Sequence, residues 1–369
     1  GSVSAFFSDV LGRHNLGVSF VGTGTGTGSF ADQLGGEVFY LNQQRRFNFG
    51  GDVSHIPYVS TGVQFAGTVT LNDGLPADQY DEITFIETVD SASAIAQYPF
   101  STTRRLETSA GYQRYATKTD VLSVFVRGNT VVGEQRGHLP NTKFSLNMFT
   151  GNIGFVGDSS IFGFISPVRG TRYRYEVGAL TGDLRFQTAL ADWRRYFFLR
   201  PATLAVRALH FGRYGSDAES QQLTPLYVGD IGLVRGYDPY GIGSSECVRP
   251  AGSRACPVLD RLVGSRIGLA SVEARVPLLG TKEYGLINAP FLPTEGFVFA
   301  DAGAAWRQGT HPKLKFVSND ATSPNIPVFS VGVGLRILLA YIPIEVYAAK
   351  PFQRPAQNIV YGFNIIPGW

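Results

Sequence analysis

The chain has 369 residues, of which 17% are charged, and it carries 44 glycines, 27 phenylalanines and 17 tyrosines. Soluble chains hold about 25% charge, and a formal net charge of +3 is too small to argue for a grip on nucleic acid. The nearest approach to a membrane helix, residues 326–349, contains Arg336, Glu345, Pro327 and Pro343 and is rich in β-branched residues, so it reads as strands.

No secretory leader opens the chain, so it reads as mature or truncated. Five histidines lie scattered without ligand spacing, and neither a metal nor a cofactor is expected. The two cysteines, Cys247 and Cys256 in "SSECVRPAGSRACPV", read as a disulfide closing a small loop, with two free thiols as the alternative. The disulfide requires an oxidising compartment such as the periplasm or the cell exterior.

In chain order, period-two alternation predicts strands over 2–9, 14–22, 32–42, 46–55, 60–71, 82–94, 104–117, 142–155, 170–181, 183–197, 202–214, 264–277, 293–306, 326–339, 341–350 and 358–368. "GTGTGTG" at 22–28 is either a turn or a strand extension. The segment 118–141 reads as two strands extended into an external hairpin. In "TGVQFAGTVTL", Val63, Phe65 and Val69 share a face opposite Gln64, Thr68 and Thr70. In "FSVGVGLRI", Phe329, Val331, Val333, Leu335 and Ile337 oppose Ser330, Gly332, Gly334 and Arg336.

Alternation alone fits either a soluble sandwich or a membrane barrel. Strands of about ten residues, aromatic strand ends such as "RRYFFLRP" and an even strand count favour the barrel. The expectation is one all-β domain over 1–369: a sixteen-stranded antiparallel transmembrane β-barrel with both chain ends on one side. The long segments 118–141, 215–263 and 307–325 then lie on the other side. Trp193, Tyr196, Phe197, Phe198, Trp306 and Trp369 read as a membrane-interface belt rather than a ligand cage.

The segment 215–263 is too long to be left without specific contacts, and it holds Arg235 in "GDIGLVRGYDPYG". A charged anchor inside the lumen would secure it. The acidic, inward-facing partners are Glu273 in "ASVEARV", with Arg275 two positions on as a competitor, and Asp301 in "FVFADAGAAW". A guanidinium between two carboxylates makes fork-like hydrogen bonds that lysine cannot reproduce. Asp192 sits beside arginines as a further lumen or rim pair. His210 and His311 read as ordinary residues. No nucleophile–base–orienter set accompanies these charges, so no enzyme activity is expected.

These same stretches carry a resemblance. "LVRGYDPYG" resembles the VRGF/Y signature in the sixth external loop of the Omp85 superfamily, and "FADAG" at 299–303 resembles its F-x-D-x-G strand motif. "SVEARVPL" is similar to the preceding strand, and "AQNIVYGFNIIPGW" to the aromatic-ended insertion signal of outer-membrane barrels. The resemblance spans the barrel, with its specific motifs in residues 229–369. It implies a lumen network of Arg235, Gly236, Tyr237, Glu273, Phe299, Asp301 and Gly303, and an insertion signal in Tyr361, Phe363, Ile365 and Trp369. It also implies an outer-membrane location and a role in protein insertion or secretion through a weak seam between the first and last strands. Outer-membrane lipids and periplasmic or outer-membrane proteins are the expected partners. POTRA domains, common before the barrel in this family, are not in these residues; some relatives carry a lipase or propeller module instead. The alternatives are an anchor or conduit for such a module, and a passive porin. A second VRG tripeptide, in "SPVRGTRYRYE" at 166–176, falls at a strand start rather than in the loop.

Overall fold

Alternating sequence becomes strand almost throughout. The computed structural model describes residues 2–22, 30–139, 144–229, 232–238, 241–243, 246–247, 256–283, 285–318, 325–340 and 342–365. Its strands in chain order are β1 (Ser2–Ser8), β2 (His14–Gly22), β3 (Leu34–Asn42), β4 (Asn48–Thr70), β5 (Pro76–Ser101), β6 (Arg104–Arg127), β7 (Thr130–His138), β8 (Phe144–Asp158), β9 (Ile161–Phe162) and β10 (Pro167–Gly182). They continue with β11 (Phe186–Leu199), β12 (Ala202–Tyr214), β13 (Leu226–Tyr227), β14 (Val263–Gly264), β15 (Arg266–Gly280), β16 (Ile287–Asn288), β17 (Thr294–Trp306), β18 (Val328–Leu339), β19 (Ile342–Pro351) and β20 (Val360–Ile365). A 3-10 turn at Phe30–Gln33 and a four-residue helix, α1 (Pro257–Asp260), are short interruptions.

Internal contacts divide the chain into two units. The first is Gly1–Pro99 with Glu107–Ile153 and Ala179–Arg185; the second is Phe100–Leu106 with Gly154–Gly178 and Phe186–Trp369. In the first, β1, β2, β3, β4 and β5 form a continuous antiparallel ladder, and β6 and β7 form a hairpin closing at Arg127↔Thr130. In the second, β11, β12, β15, β17, β18, β19 and β20 pair in succession, all antiparallel.

The largest departure from the predicted boundaries is β4. The two predicted strands 46–55 and 60–71 are one strand of 23 residues. Pro57 lies in the interval between them, and proline cannot donate to a ladder. The ladder with β3 does stop at Gly36↔His55, just before it. On the other side, the ladder with β5 passes straight through Pro57↔Thr88 and ends at Thr70↔Pro76. The proline therefore costs β4 one neighbour rather than its conformation. β5 likewise outgrows its predicted 82–94 to span 26 residues. The segment 118–141 supplies the end of β6 and all of β7. The last predicted strand, 358–368, is strand from Val360 to Ile365, and its end lies outside the described residues.

Burial is inverted relative to a soluble sheet. On β17, Val298 is 54% exposed while Phe299 and Asp301 beside it are 5% and 2% exposed. On β18, Val331, Val333 and Leu335 are exposed, and Ser330 and Arg336 are 1% exposed. Apolar side chains face outward and charged ones inward, the arrangement hydrocarbon imposes on a spanning sheet. Among the described residues no helix is long and apolar enough to cross a membrane. In the aromatic belt, Phe197 and Phe198 are exposed, but Tyr196 is buried. It shares the inward parity of Asp192 and Arg194 on β11, and alternation outranks its residue type.

Candidate functional site

The site is assembled from three inward faces and one loop segment of the second unit. Strand β15 offers Ser271, Glu273 and Arg275, and β17 offers Glu295, Phe297, Phe299, Asp301 and Gly303, in the register Ser271↔Asp301 and Glu273↔Phe299. Next along, β18 contributes Gly332, Gly334 and Arg336, paired as Phe299↔Gly332 and Phe297↔Gly334. Glycine at these positions leaves room for the two rings: a Cβ on Gly332 would lie 2.5 Å from Phe299 Cζ. The phenyl groups therefore lie flat against the strand and form a floor.

Arg235 rests on that floor. Its guanidinium carbon is 3.5 Å from the Phe299 ring centroid and 5.5 Å from that of Phe297, a cation–π contact removed from water. Its Nε donates to Asp301 Oδ2 at 2.8 Å and its Nη2 to Asp301 Oδ1 at 2.9 Å, a bidentate fork, while its backbone N–H donates to Oδ2 at 3.2 Å. Its Nη1 donates to Glu273 Oε2 at 2.7 Å. Ser271 Oγ donates to Asp301 Oδ1 as well. Burial works against the arginine's charge, but Asp301 and Glu273 outweigh it, and Arg235 holds its proton more firmly than an ordinary arginine.

The residues flanking Arg235 have physical reasons of their own. Val234 and Val228 pack where a Cβ on Gly303 would stand, 2.5 and 2.7 Å from their methyl groups. Gly236 has φ +87°, a left-handed conformation that glycine adopts without strain. The Tyr237 hydroxyl lies 3.0 Å from the Phe329 carbonyl and 2.9 Å from Gln353 Oε1, and accepts the Gln353 N–H at 3.1 Å. Burial pushes the Tyr237 phenol up from its ordinary value. Val228, Val234, Tyr237 and Leu262 together cover the inward-facing Ile267, Leu269, Ala305 and Val328. The loop thus shields apolar inner positions as well as charged ones.

The charge network extends past these residues. Arg275 Nε donates to Glu273 Oε1 at 2.6 Å, and Arg336 Nη1 and Nη2 reach the same carboxylate at 2.6 and 3.0 Å. Arg336 also binds Glu345 on β19, Nε to Oε2 at 2.8 Å, and Glu295 at 3.2 Å. Glu345 in turn accepts from Asn364 Nδ2 on β20 at 3.0 Å, and Glu295 accepts from Ser166. Three arginines and four carboxylates, each at most 6% exposed, form one connected cluster from the loop to the last strand. Removing one partner from such a cluster strands the others without counter-charge, at about 3–5 kcal/mol.

Sequence reasoning placed Arg235, Glu273 and Asp301 but not Glu295 or Glu345. The signal for the latter was a short β18–β19 turn, which sets the register Arg336↔Glu345. Also missed was Arg354, which donates to both oxygens of Glu246 at 2.9 and 2.6 Å and to the Gly236 carbonyl at 2.6 Å. Asp192 accepts from Arg194 and Arg207, and Arg207 donates to the loop carbonyl of Gly232 at 2.8 Å. Cys247 and Cys256 are joined as a disulfide. Tyr361, Phe363 and Ile365 are exposed on one face of β20, and Trp369 lies outside the described residues. His210 is held by the Ile267 carbonyl and the Tyr214 hydroxyl and stacks on Trp306. Among the described residues no group of His, Cys, Asp and Glu is arranged to hold a metal.

The sequence model of the Omp85 superfamily domain matches residues 26–368. Similar solved structures include BamA from Haemophilus ducreyi lacking POTRA domains 1–3, at 14% identity and TM-score 0.53, covering 99% of this chain and 75% of that one. CdiB from Acinetobacter baumannii matches at 12% identity and TM-score 0.55, and CdiB from Escherichia coli at 12% and 0.53; each covers 99% of this chain. This chain spans 56% and 58% of those two proteins. At such identities the likeness is one of fold. The family match, the outward apolar faces and the arginine-anchored loop lead to one assignment: this chain belongs to the Omp85 superfamily of bacterial outer-membrane β-barrel proteins.

Proposed function

We propose that this chain is the membrane part of an assembly or translocation protein, a closed sixteen-stranded barrel whose 215–263 loop is held in the lumen by Arg235. In this reading Arg235, Gly236, Tyr237, Glu273, Phe299, Asp301 and Gly303 form a structural lock rather than a reaction centre. Every charged group among them is engaged by an opposite charge, and no nucleophile–base–orienter set accompanies them, so the reading is of a protein that is not an enzyme. Its partners are outer-membrane lipids and periplasmic or outer-membrane polypeptides.

The observation that carries the proposal is the fork of Arg235 on Asp301, sealed by Glu273 and the Phe299 ring. Only a loop folded back onto the inner face makes those contacts. The cluster then runs through Arg336 and Glu345 to Asn364 on β20, which gives the loop a hydrogen-bonded route to the final strand. The seam between the first and last strands is the site of action in this reading. Opened, it presents unpaired backbone edges that template an incoming strand.

The test is a disulfide between Ser4→Cys and Phe363→Cys, or neighbours in the register seen, formed in the complete protein. Oxidation is expected to abolish insertion or secretion and reduction to restore it. Full activity with the seam locked overturns the proposal.

A further inference from the structure

Independently of the seam, we propose that the open edge of β4 between Val59 and Thr70 is a docking site for an extended, uncharged strand of a partner polypeptide. The edge exists because β4 outruns its neighbour. It has 23 residues where β3 has nine, and their ladder ends at Gly36↔His55. On its other side β4 stays paired with β5 to Thr70. Among the described ladders, nothing pairs with β4 on the β3 side past His55. A tilted crossing uses about 9–11 residues, so roughly a dozen residues of β4 stand clear of hydrocarbon, where a strand from solution can reach them.

Edges of this length are ordinarily protected by charges, prolines or cover. The outer strand of the neighbouring hairpin, β7, carries Glu134, Arg136 and His138. Residues 59–71, "VSTGVQFAGTVTL", hold no charged residue and no proline. Ser60 through Ala66 are all exposed, and the protection is limited to a bulge at Gly67, where φ is +121°. β-branched residues and threonines favour the extended state, so the edge is already shaped for pairing. β3 fixes the geometry: an incoming strand continues its rungs and runs antiparallel to β4. On one face Val63 and Phe65 stand proud, Phe65 against Tyr80 with ring centroids 5.4 Å apart; Gly62 and Gln64 lie on the other. The complement is a strand alternating apolar with small polar residues. A second copy fits poorly, because two copies related by an axis along the membrane normal bring their β4 edges together in parallel, not antiparallel.

The experiment uses the complete protein in detergent micelles, with hydrogen–deuterium exchange followed over residues 59–70. The probe is a synthetic peptide with an alternating threonine–valine core and a lysine at each end. Saturating peptide is expected to slow exchange of the edge amides by about tenfold or more, as closing an exposed ladder does. The same peptide with a central proline is expected to do nothing. Val63→Lys is expected to abolish the protection, and Val131→Lys on β7 to leave it intact. Unchanged exchange with peptide overturns the proposal. So does protection that is present without peptide and disappears on dilution, which would assign the edge to a second copy.

Discussion

The ladder of β15, β17 and β18 and the hairpin of β4 and β5 share the same period-two pattern and end in opposite states. In the first, the inward carboxylates meet partners from other elements: Asp301 meets Arg235 of the loop, and Glu273 meets arginines from the loop and β18 as well as from β15. In the second, past Pro57, polar residues bond to an adjacent strand, as Thr68 does with Asp78 at 2.6 Å, or along their own, as Gln79 does with Asp81 at 2.8 Å. The pattern decides which residues share a face. What covers that face is decided by partners distant in sequence. Burial and ionic coupling concentrate where those partners exist, and an open edge remains where they do not.

The sharpest way to break the comparison is to remove the hub. Glu273→Leu leaves Arg235, Arg275 and Arg336 without their shared carboxylate and is expected to cost about 3–5 kcal/mol. Thr61→Leu on β4 is expected to change stability by about 0.5 kcal/mol or less, because the residue is exposed and outside any such cluster. Urea unfolding in micelles checks both, and equal effects would erase the distinction.

Arg235→Lys keeps the charge but loses the fork, and a cost of about 2 kcal/mol is expected, with faster proteolysis of the loop. Arg235→Ala is expected to go further and raise conductance in planar bilayers as the loop leaves the lumen. Next comes Gly303→Ala, whose new methyl meets Val234 and Val228; about 1–3 kcal/mol of overpacking is expected, read in the same unfolding assay.

The smallest effect is one of pH. Burial alone would raise the Glu246 carboxyl, but hydrogen bonds and charge from Arg354 and the Gly243 N–H bring it below its ordinary value. A carboxyl depressed in the folded state stabilises above its unfolded value, about 4.3. That contribution fades as pH falls through the lower folded value. Protease protection near Glu246 is therefore expected to be constant at neutral pH and to decline in acid, and Glu246→Gln to be weaker at neutral pH with a flatter profile.

Much of this was legible in the residues, for identifiable reasons. Arg235 was singled out because a loop as long as 215–263 needs a charged anchor, and Glu273 and Asp301 because they are the acidic, inward-facing residues on the strands that follow. Glu345 and Arg354 were not, because their significance comes from register and from a loop path that alternation does not encode. The continuity of β4 through Pro57 was not legible, because the sequence does not say which side of a strand a proline's missing N–H faces. Tyr196 misled because an aromatic residue at a strand end suits a membrane interface, while its parity with Asp192 and Arg194 placed it inside.

The most direct test of the account asks what surrounds Val333. A fluorophore on Val333→Cys, in protein reconstituted into lipid vesicles, should be quenched by brominated acyl chains and untouched by aqueous iodide. Quenching by iodide, or by neither agent, would mean that this face meets water or protein, and neither the outward placement of the apolar residues nor the wet lumen around Arg235 would stand.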